Sequence, residues 1–254
     1  MNRVGFLGTG HIAAPMARVL ARKNFSVTVS KRNPQVAAGL VADGLGIRVA
    51  SNQGVVDASD VVFLCLRPAV WADAVAGLTW RDDQQIVSVM SGVTLAEIAQ
   101  ACPPVTKISA TIPYGFVEQG NCPLPVVGDP SAVQALFGDE NPVLPQTEET
   151  ALRYFFAASA LVSGVLEMLE TSGDWLAGQI GDADQAEVYV ANMVTGVLSN
   201  MDKSRAGRLA DEKWALATPN TLNLQMVEGL KRDGAFDQLP SLLNQISASM
   251  EKNA

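Results

Sequence analysis

The sequence predicts an α/β protein with a doubly wound parallel sheet in its N-terminal part and helices alone in its C-terminal part. Short apolar strands alternate with amphipathic helices up to about residue 145. Several of these strands are apolar at every position, which is typical of parallel strands covered on both faces. From residue 146 the strand pattern stops and long apolar helices follow. We therefore expect two domains, 1–145 and 146–254.

The elements of the first domain follow from local patterns of hydrophobic residues. RVGFL ends on glycines and predicts the first strand, and HIAAPMARVLARK has apolar residues at helical spacing. FSVTVS predicts the second strand, and Pro34 and Gly44 delimit a helix over PQVAAGLVADG. Later strands are predicted in IRVA, DVVFLCL, QIVSVM and VTKIS, with helices between them. VVGDPSAVQALFGDENPVLP predicts a strand, a short helix and an edge strand.

Two long helices dominate the second domain. The first is predicted from a capping box at Thr147 to Gly173, and the second over ADQAEVYVANMVTGVLSNM. Both are apolar on more than one face, which makes them hard to bury within a single protomer. We therefore expect an all-helical dimerisation domain and a homodimer formed through the C-terminal helices. Ordinary packing within one chain is the alternative.

Composition and charge exclude several classes of protein. With 48% hydrophobic and 17% charged residues, the chain is typical of a globular protein. A net charge of −8 without a cluster of Lys and Arg argues against nucleic acid or an anionic membrane as partner.

No apolar run approaches the roughly 18 residues of a transmembrane helix. MNRVGFLGTG lacks the apolar region of a signal peptide, so a cytoplasmic location is expected.

The cysteines do not indicate a metal site. Cys65, Cys102 and Cys122 are widely spaced, and no pair of Cys or His has the spacing of metal ligands. We expect three reduced thiols and no bound metal.

A glycine motif follows the first predicted strand. Residues 8–13 read G-T-G-H-I-A, the pattern G-x-G-x-x-A between a strand and a helix. In Rossmann-type domains the first glycine makes the tight turn, and the second lets backbone amides approach a pyrophosphate. The motif predicts a dinucleotide cofactor held by Gly8, Gly10, His11 and Ile12. A plain turn from strand to helix is the alternative.

The end of the second strand predicts which dinucleotide binds. NAD-binding domains place Asp or Glu there to bond the ribose 2′-hydroxyl. This chain has Ser30, Lys31 and Arg32 instead. A hydroxyl and a guanidinium group suit a 2′-phosphate, so NADP is predicted. The alternative is an ordinary solvated loop.

Two further loops follow strands at the edge of the sheet where ligands bind. Leu66, Arg67 and Pro68 come after the fourth strand, and Ser91 and Gly92 after the fifth. We expect these residues to contact the cofactor, although both loops are also compatible with plain connections. His11 is the single histidine, and its place in the glycine motif indicates a position near the pyrophosphate, not a proton donor.

The sequence resembles the pyrroline-5-carboxylate reductase family. The matching segments are VGFLGTGHIA, VSKRNP, DVVFLCLRP and IVSVMSGVTLAEI, which fit that family in order and spacing through about residue 110. The resemblance implies an NADP-binding domain joined to a helical dimerisation domain. It also implies hydride transfer to a C=N bond, with the small-molecule substrate at the subunit interface.

The later part of the chain departs from the family pattern. Ala110 to Tyr114 stand where the family has M-P-N-T-P, and FFAASALVSG replaces a Ser/Gly-rich segment. The family's late S-P-G-G-T-T loop corresponds to residues 218–223 of this chain. The resemblance implies catalytic roles for Thr218, Thr221 and Asn223, and substrate binding by Ser159 and Asn220. Reduction of an iminium needs little proton machinery, so a site without a catalytic His or Lys is compatible with it.

Two other functions stay open. The first turn is also similar to that of β-hydroxyacid dehydrogenases, which need a lysine on a glycine-rich helix, whereas Lys203 and Lys213 lack such glycines. A non-catalytic NADPH-binding dimer, such as a redox sensor, is the second alternative.

Overall fold

The computed structural model describes residues 2–251, which fall into two compact units. The sheet unit comprises the residues up to Phe156 together with those from Ser249, and the helical unit comprises Ala157–Ala248. The predicted boundary at residue 145 coincides with the end of the last strand, whereas the compact units divide within the helix that follows it.

The sheet unit contains one eight-stranded sheet in the order β3-β2-β1-β4-β5-β6-β7-β8. Neighbouring strands are parallel except for β6 and β7, which are antiparallel. The strands are β1 Arg3–Leu7, β2 Ser26–Ser30, β3 Arg48–Ala50, β4 Val61–Leu64, β5 Gln85–Ser88, β6 Lys107–Thr111, β7 Leu124–Gly128 and β8 Val143–Pro145. The predicted doubly wound sheet is thereby confirmed, and its last two strands, β7 and β8, form the edge predicted from VVGDPSAVQALFGDENPVLP.

Helices cover both faces of this sheet. They are α1 Ala13–Arg22, α2 Pro34–Ala42, α3 Asn52–Asp57, α4 Trp71–Val75, α5 Leu95–Ala101 and α6 Ser131–Phe137. One apolar core lies between the sheet and α1, α2 and α6, and a second lies between the sheet and α3, α4 and α5. Alternate strand residues supply the two cores: Phe63 enters the first and Leu64 the second. Such two-sided burial explains why these strands are apolar at every position.

Three sequence expectations are corrected. The strand predicted over VTKIS begins and ends two residues later, at Lys107 and Thr111. The helix predicted from Thr147 begins at Ala151 and is interrupted at Ala160, which gives α7 Ala151–Ser159 and α8 Leu161–Ile180. Gly173 does not end α8. It is buried within the helix, near the backbone of Glu187, and Gly181 in the left-handed conformation ends the helix instead.

The helical unit is built around an antiparallel pair of long helices. It contains α8, α9 Ala183–Asn200, α10 Arg208–Leu216 and α11 Leu222–Arg232, while α7 and α12 Leu239–Glu251 run across the division between the units. Few of its side chains are buried, and many large apolar ones are exposed. The stretch Ala151–Ile180 is long and apolar enough to cross a membrane by length and composition, and only 6% of its most apolar window is buried. The expectation that no apolar segment approaches the length of a transmembrane helix is thereby corrected, and little of this stretch is buried among the described residues.

Candidate functional site

A cleft of about 550 Å³ lies at the carboxyl ends of β1, β2, β4 and β5. Open α/β sheets bind their ligands at this edge, where the strand order reverses direction between β1 and β4. The cleft is lined by Gly8, Thr9, Gly10, His11, Ile12, Ala13, Arg32, Asn33, Pro34, Gln35, Cys65, Leu66, Arg67, Val70 and Val89.

The two glycines of the turn are needed for different reasons. Gly8 has φ of 93°, and a Cβ atom there would lie 2.2 Å from the carbonyl oxygen of Cys65. Gly8 therefore permits the turn itself. Gly10 has no atom within 4 Å of the position that its Cβ would occupy. Its missing side chain keeps space open above the backbone, which fits the close approach of a pyrophosphate.

The N-terminus of α1 faces the same turn. Ile12 precedes the helix and supplies no side-chain hydrogen bond to the first-turn amides. These amide groups and the helix dipole favour an anion at this position. The chain at this end of the cleft thus has the form of a phosphate-binding site.

Ser30 supports the turn from below. It is 1% exposed, and its Oγ accepts a hydrogen bond of 2.9 Å from the backbone N–H of Gly8. Its carbonyl oxygen also accepts a hydrogen bond from the hydroxyl of Thr9. Ser30 is not among the residues that line the cleft, and the structure shows its side chain supporting the glycine turn.

The lining of the cleft is positively charged. Arg32 lies on the side of β2 and Arg67 on the side of β4, and both are exposed. No Asp or Glu is among the lining residues. Asn33 caps α2, because its side-chain oxygen accepts a hydrogen bond from the N–H of Val36. If a ligand places a second phosphate next to β2, the guanidinium group of Arg32 can pair with it.

The thiol of Cys65 forms part of the cleft wall. Burial raises its pKa well above the ordinary value of a thiol. Cys65 is therefore protonated near neutral pH and behaves as an apolar wall, not as a nucleophile. Among residues 2–251 no group of three or more side chains is arranged to hold a metal ion.

Comparisons with known proteins agree with this geometry. Residues 3–92 match the family model described as NADP oxidoreductase, coenzyme F420-dependent. The pyrroline-5-carboxylate reductase of Streptococcus pyogenes has a similar structure, with a TM-score of 0.79, 16% identity and 98% of each chain covered. That of Coxiella burnetii gives a TM-score of 0.81 at 14% identity, covering 98% of this chain and 97% of that one. The chain has the fold of the pyrroline-5-carboxylate reductases.

This reductase fold is shared more distantly with an imine reductase from a Pseudomonas species. The two structures have a TM-score of 0.62 and 18% identity, and the alignment covers 99% of this chain and 90% of the other. A search of curated protein sequences gives no match. The fold that the sequence motifs predicted, a Rossmann-type sheet followed by helices, is confirmed.

Within the reductase fold, the cleft brings together most of the predicted cofactor residues. Gly8, Gly10, His11, Ile12, Arg32, Leu66 and Arg67 line it. Lys31 is exposed next to it, and Pro68 starts a short 3-10 helix, Pro68–Val70, that leads into α4. Val89 and Gln35 are among the lining residues that sequence reasoning did not assign to the site. Val89 is the first residue after β5, so the rule that ligands bind at the ends of strands would have found it.

Ser91 and Gly92 lie elsewhere. They line a second cavity of about 480 Å³, next to the N-terminus of α5. There Thr94 caps α5 as predicted, since its hydroxyl accepts a hydrogen bond from the N–H of Glu97 while the carboxylate of Glu97 accepts from Thr94. These hydrogen bonds lower the pKa of Glu97. The loop after β5 therefore serves first to begin α5.

The predicted substrate residues belong to the helical unit. Thr221 caps α11, and its hydroxyl donates to the carbonyl of Thr218 at 2.7 Å and accepts from the N–H of Leu224. Asn223 donates weakly to the carbonyl of Leu216, and Asn220 turns the chain with φ of 66°. The segment 218–223 thus connects α10 to α11, as a helix linker would. Thr218 and Asn220 are exposed there, and Ser159 is the half-buried last residue of α7.

Proposed function

We propose that the protein is an NADPH-dependent reductase that transfers a hydride to the carbon of a small imine similar to pyrroline-5-carboxylate. One observation carries the proposal. The cleft combines open space above Gly10, an uncapped helix N-terminus and two guanidinium groups, without a carboxylate in its lining. This set of groups is complementary to a pyrophosphate and a further phosphate. NADPH carries both, whereas NADH lacks the second.

Each part of the cleft has a separate role in holding the cofactor. The α1 amides and Gly10 would bind the pyrophosphate, and Arg32 would pair with the 2′-phosphate. Leu66 and Val89 give the β4 and β5 end an apolar lining that suits an uncharged ring. When bound there, NADPH supplies the hydride. The residues of the chain therefore work by positioning.

The substrate class is inferred from two kinds of support. A pyrroline-5-carboxylate reductase and an imine reductase, which share this fold, are both named for reduction of a C=N bond. An iminium ion also arrives with its proton, so its reduction does not require an acid in the cleft. This agrees with a cleft whose titratable side chains apart from arginine are His11 and the protonated thiol of Cys65.

We further propose that two copies of the chain form the active molecule. Large apolar side chains of the helical unit are exposed, among them Leu166, Trp175 and Tyr189. Lipid is a poor alternative cover, because α8 also carries Glu167, Glu170 and Asp174. A second copy would cover this surface and would bring its segment 218–223 to the substrate. Thr218 and Asn220 are then the groups best suited to bind the polar end of the substrate, because Thr221 and Asn223 bond locally.

The cofactor proposal is tested by Arg32→Ala, with Lys31→Ala as the matched control. We expect Arg32→Ala to weaken NADPH binding by about 10- to 100-fold, as expected for a lost charge-assisted hydrogen-bond pair. NADH binding should stay unchanged, and Lys31→Ala should have a smaller effect because Lys31 does not line the cleft. Fluorescence titration with each cofactor measures the affinities for NADPH and NADH. An equal loss of NADPH and NADH binding would contradict the assignment of Arg32.

The substrate proposal is tested by following NADPH oxidation with pyrroline-5-carboxylate, other cyclic imines and keto acids. We expect turnover with imines, and a loss of turnover in Thr218→Ala and Asn220→Ala at unchanged NADPH affinity. NADPH binding without turnover across this panel would instead favour a non-catalytic sensor. Light scattering gives the molar mass in the same samples, and a monomer would contradict the proposed dimer.

A further inference from the structure

The loop after β6, which runs into a 3-10 helix at Gly115–Gln119, carries two stacked aromatic rings that the proposed function does not use. The ring centroids of Tyr114 and Phe116 are 5.3 Å apart, and their planes differ by 10°. Tyr114 is half-buried, whereas Phe116 is 49% exposed. Among the residues of the loop 112–117, Phe116 alone is a large apolar side chain with such exposure.

This aromatic pair lies beside the cofactor cleft. β6 is the parallel neighbour of β5, so its carboxyl end is at the same edge of the sheet, one strand beyond Val89. Tyr114 packs against the same apolar core as Ile12, Cys65 and Val89, three residues that line the cleft. The position of a Cβ on Gly115 would be 4.0 Å from the carbonyl oxygen of His11. Residues 112–117 therefore lie at the sheet edge one strand beyond the apolar end of the cleft, although they are not among the residues that line it.

The exposed ring is held in place from behind. The backbone N–H of Tyr114 donates to the Sγ of Cys122 at 3.4 Å. Val117, which follows Phe116, is completely buried in the core shared with α1. Phe116 is thus fixed between two anchored neighbours and backed by the ring of Tyr114. A ring fixed in this way presents a flat apolar surface at a small cost in side-chain entropy.

Residues 112–117 provide no positive charge that could bind a carboxylate. Residues 112–117 contain no cationic side chain. The nearest charged residue along the chain, Glu118, is itself an acid and pairs with Arg22 at 2.5 Å. A carboxylate placed against Phe116 would lose hydration without gaining a counter-charge. An apolar group there would instead remove the exposed ring surface from water.

We propose that Phe116, backed by Tyr114, is a specificity-determining residue that packs against an aryl or branched alkyl group on the imine carbon of the substrate. This inference rests on the proposed function and narrows its substrate class. The occupant is a small molecule and not a second protein copy, because two rings offer far less area than the roughly 800 Å² per partner of a stable interface. The segment also lies one strand away from the cleft in which the hydride donor would lie.

The test compares two imines that share one ring and differ at the imine carbon. They are 2-phenyl-1-pyrroline and 1-pyrroline-2-carboxylate. In each reaction NADPH gives a hydride to C2, the nitrogen carries the added proton, and a pyrrolidine and NADP⁺ result. We expect kcat/KM of the wild type to favour the phenyl compound. Phe116→Ala should lower kcat/KM for it about 10-fold, mainly through KM, and change that for the carboxylate less than about 3-fold.

Two further variants distinguish loss of the Phe116 ring from a general effect on folding. Phe116→Leu, which retains an apolar side chain, should recover part of the preference for the phenyl compound. Val41→Ala removes methyl groups from a side chain that is 50% exposed on α2, and it should leave both reactions unchanged. Equal losses for the two imines in Phe116→Ala would overturn the proposal. So would a change in molar mass by light scattering with unchanged kinetics, because the ring would then belong to a protein interface.

A binding measurement separates this inference from the proposed function. Calorimetry follows 2-phenylpyrrolidine binding to the NADP⁺ complex, which requires no turnover. We expect about 10-fold weaker binding in Phe116→Ala with an unchanged NADP⁺ affinity. If the wild type reduces neither imine, the proposed function fails, but a Phe116-dependent affinity for this amine still supports the apolar wall. The proposed role of Phe116 is overturned if 2-phenylpyrrolidine does not bind the NADP⁺ complex. It is also overturned if wild type and Phe116→Ala bind this amine equally well.

Discussion

The sheet unit and the helical unit use similar apolar side chains in opposite ways. In the sheet unit Phe6, Phe63 and Phe137 are fully buried, and the ring of Phe63 stacks on Phe6 at 5.0 Å and meets Phe137 edge-on. In the helical unit the buried residues are mostly small, such as Ala186, while Trp175 is 67% exposed. The first unit therefore completes a core from its own residues. The second leaves many of its largest side chains exposed.

This difference shows that hydrophobic content alone does not tell which surface a chain buries. Both units have apolar helices, and α8 is as apolar as many core helices. In the sheet unit, α1 is covered by the sheet and by neighbouring segments, so that eight of its ten residues are buried. α8 and α9 are apolar on more than one face, and their mutual contact uses one of them. We therefore attribute the remaining surface to association, and the predictions below test that attribution.

The largest effect is expected for Phe63→Ala. Phe63 lies at the centre of the sheet unit, between Phe6 and Phe137. Removing this ring should lower the free energy of unfolding by about 3–5 kcal/mol, because a cavity remains in a packed core. The dissociation constant of the dimer should not change. Urea unfolding at fixed protein concentration measures the first quantity, and sedimentation equilibrium the second.

For Trp175→Ala we expect a weaker dimer and little change in the stability of the isolated chain. In an isolated chain the loss of a side chain with this exposure should change stability by less than about 0.5 kcal/mol. At a dimer interface the same change should cost about 2 kcal/mol or more, since buried tryptophans dominate such interfaces. We expect the dimer to dissociate at roughly 30-fold higher concentration, as this energy implies. An unchanged dissociation constant would show that α8 is covered by something other than a second copy at this position.

A glycine substitution separates cofactor binding from stability within the sheet unit. Gly10→Ala meets no protein atom, so the variant should fold normally. Its methyl group should nevertheless occupy the space needed by the pyrophosphate and weaken NADPH binding about 10- to 100-fold. Gly39→Ala is the matched control, because its Cβ is equally unobstructed but lies on α2. Gly8→Ala should instead destabilise the fold, since its methyl group would collide with Cys65.

The smallest effect concerns the capping box of α5. Thr94→Ala should lower the free energy of unfolding by about 1 kcal/mol at pH 7. The hydrogen bonds from Thr94 hold the pKa of Glu97 below its unfolded value. Their stabilisation is therefore complete above the unfolded pKa, near 4.3, and is lost as the pH falls through the lower folded value. The difference between wild type and variant should shrink from pH 7 to pH 3, as urea unfolding at both values would show.

Much of the fold could be predicted because its signals are local. The turn at Gly8 and Gly10, the cap at Thr94 and the apolar strands depend on a few adjacent residues, and the structure has them as predicted. The break at Ala160 was missed because no Pro or Gly stands at that position to interrupt the helical pattern. The cleft was predicted less completely, since its lining depends on which strand ends become neighbours. Val89 enters the cleft only because β5 lies beside β4.

The hydrogen bond between Ser30 and Gly8 has a consequence for changing the cofactor. Engineers commonly convert NADP enzymes to NAD by placing an acid at the end of the second strand. Here that residue also supports the glycine turn to which we assign the pyrophosphate, and it is buried. An acidic residue in place of Ser30 would change the cofactor selectivity, but it would also disturb the hydrogen bond that supports the glycine turn. The exposed Arg32 can vary without disturbing this hydrogen bond, so we expect a designed change of cofactor to be better tolerated at Arg32 than at Ser30.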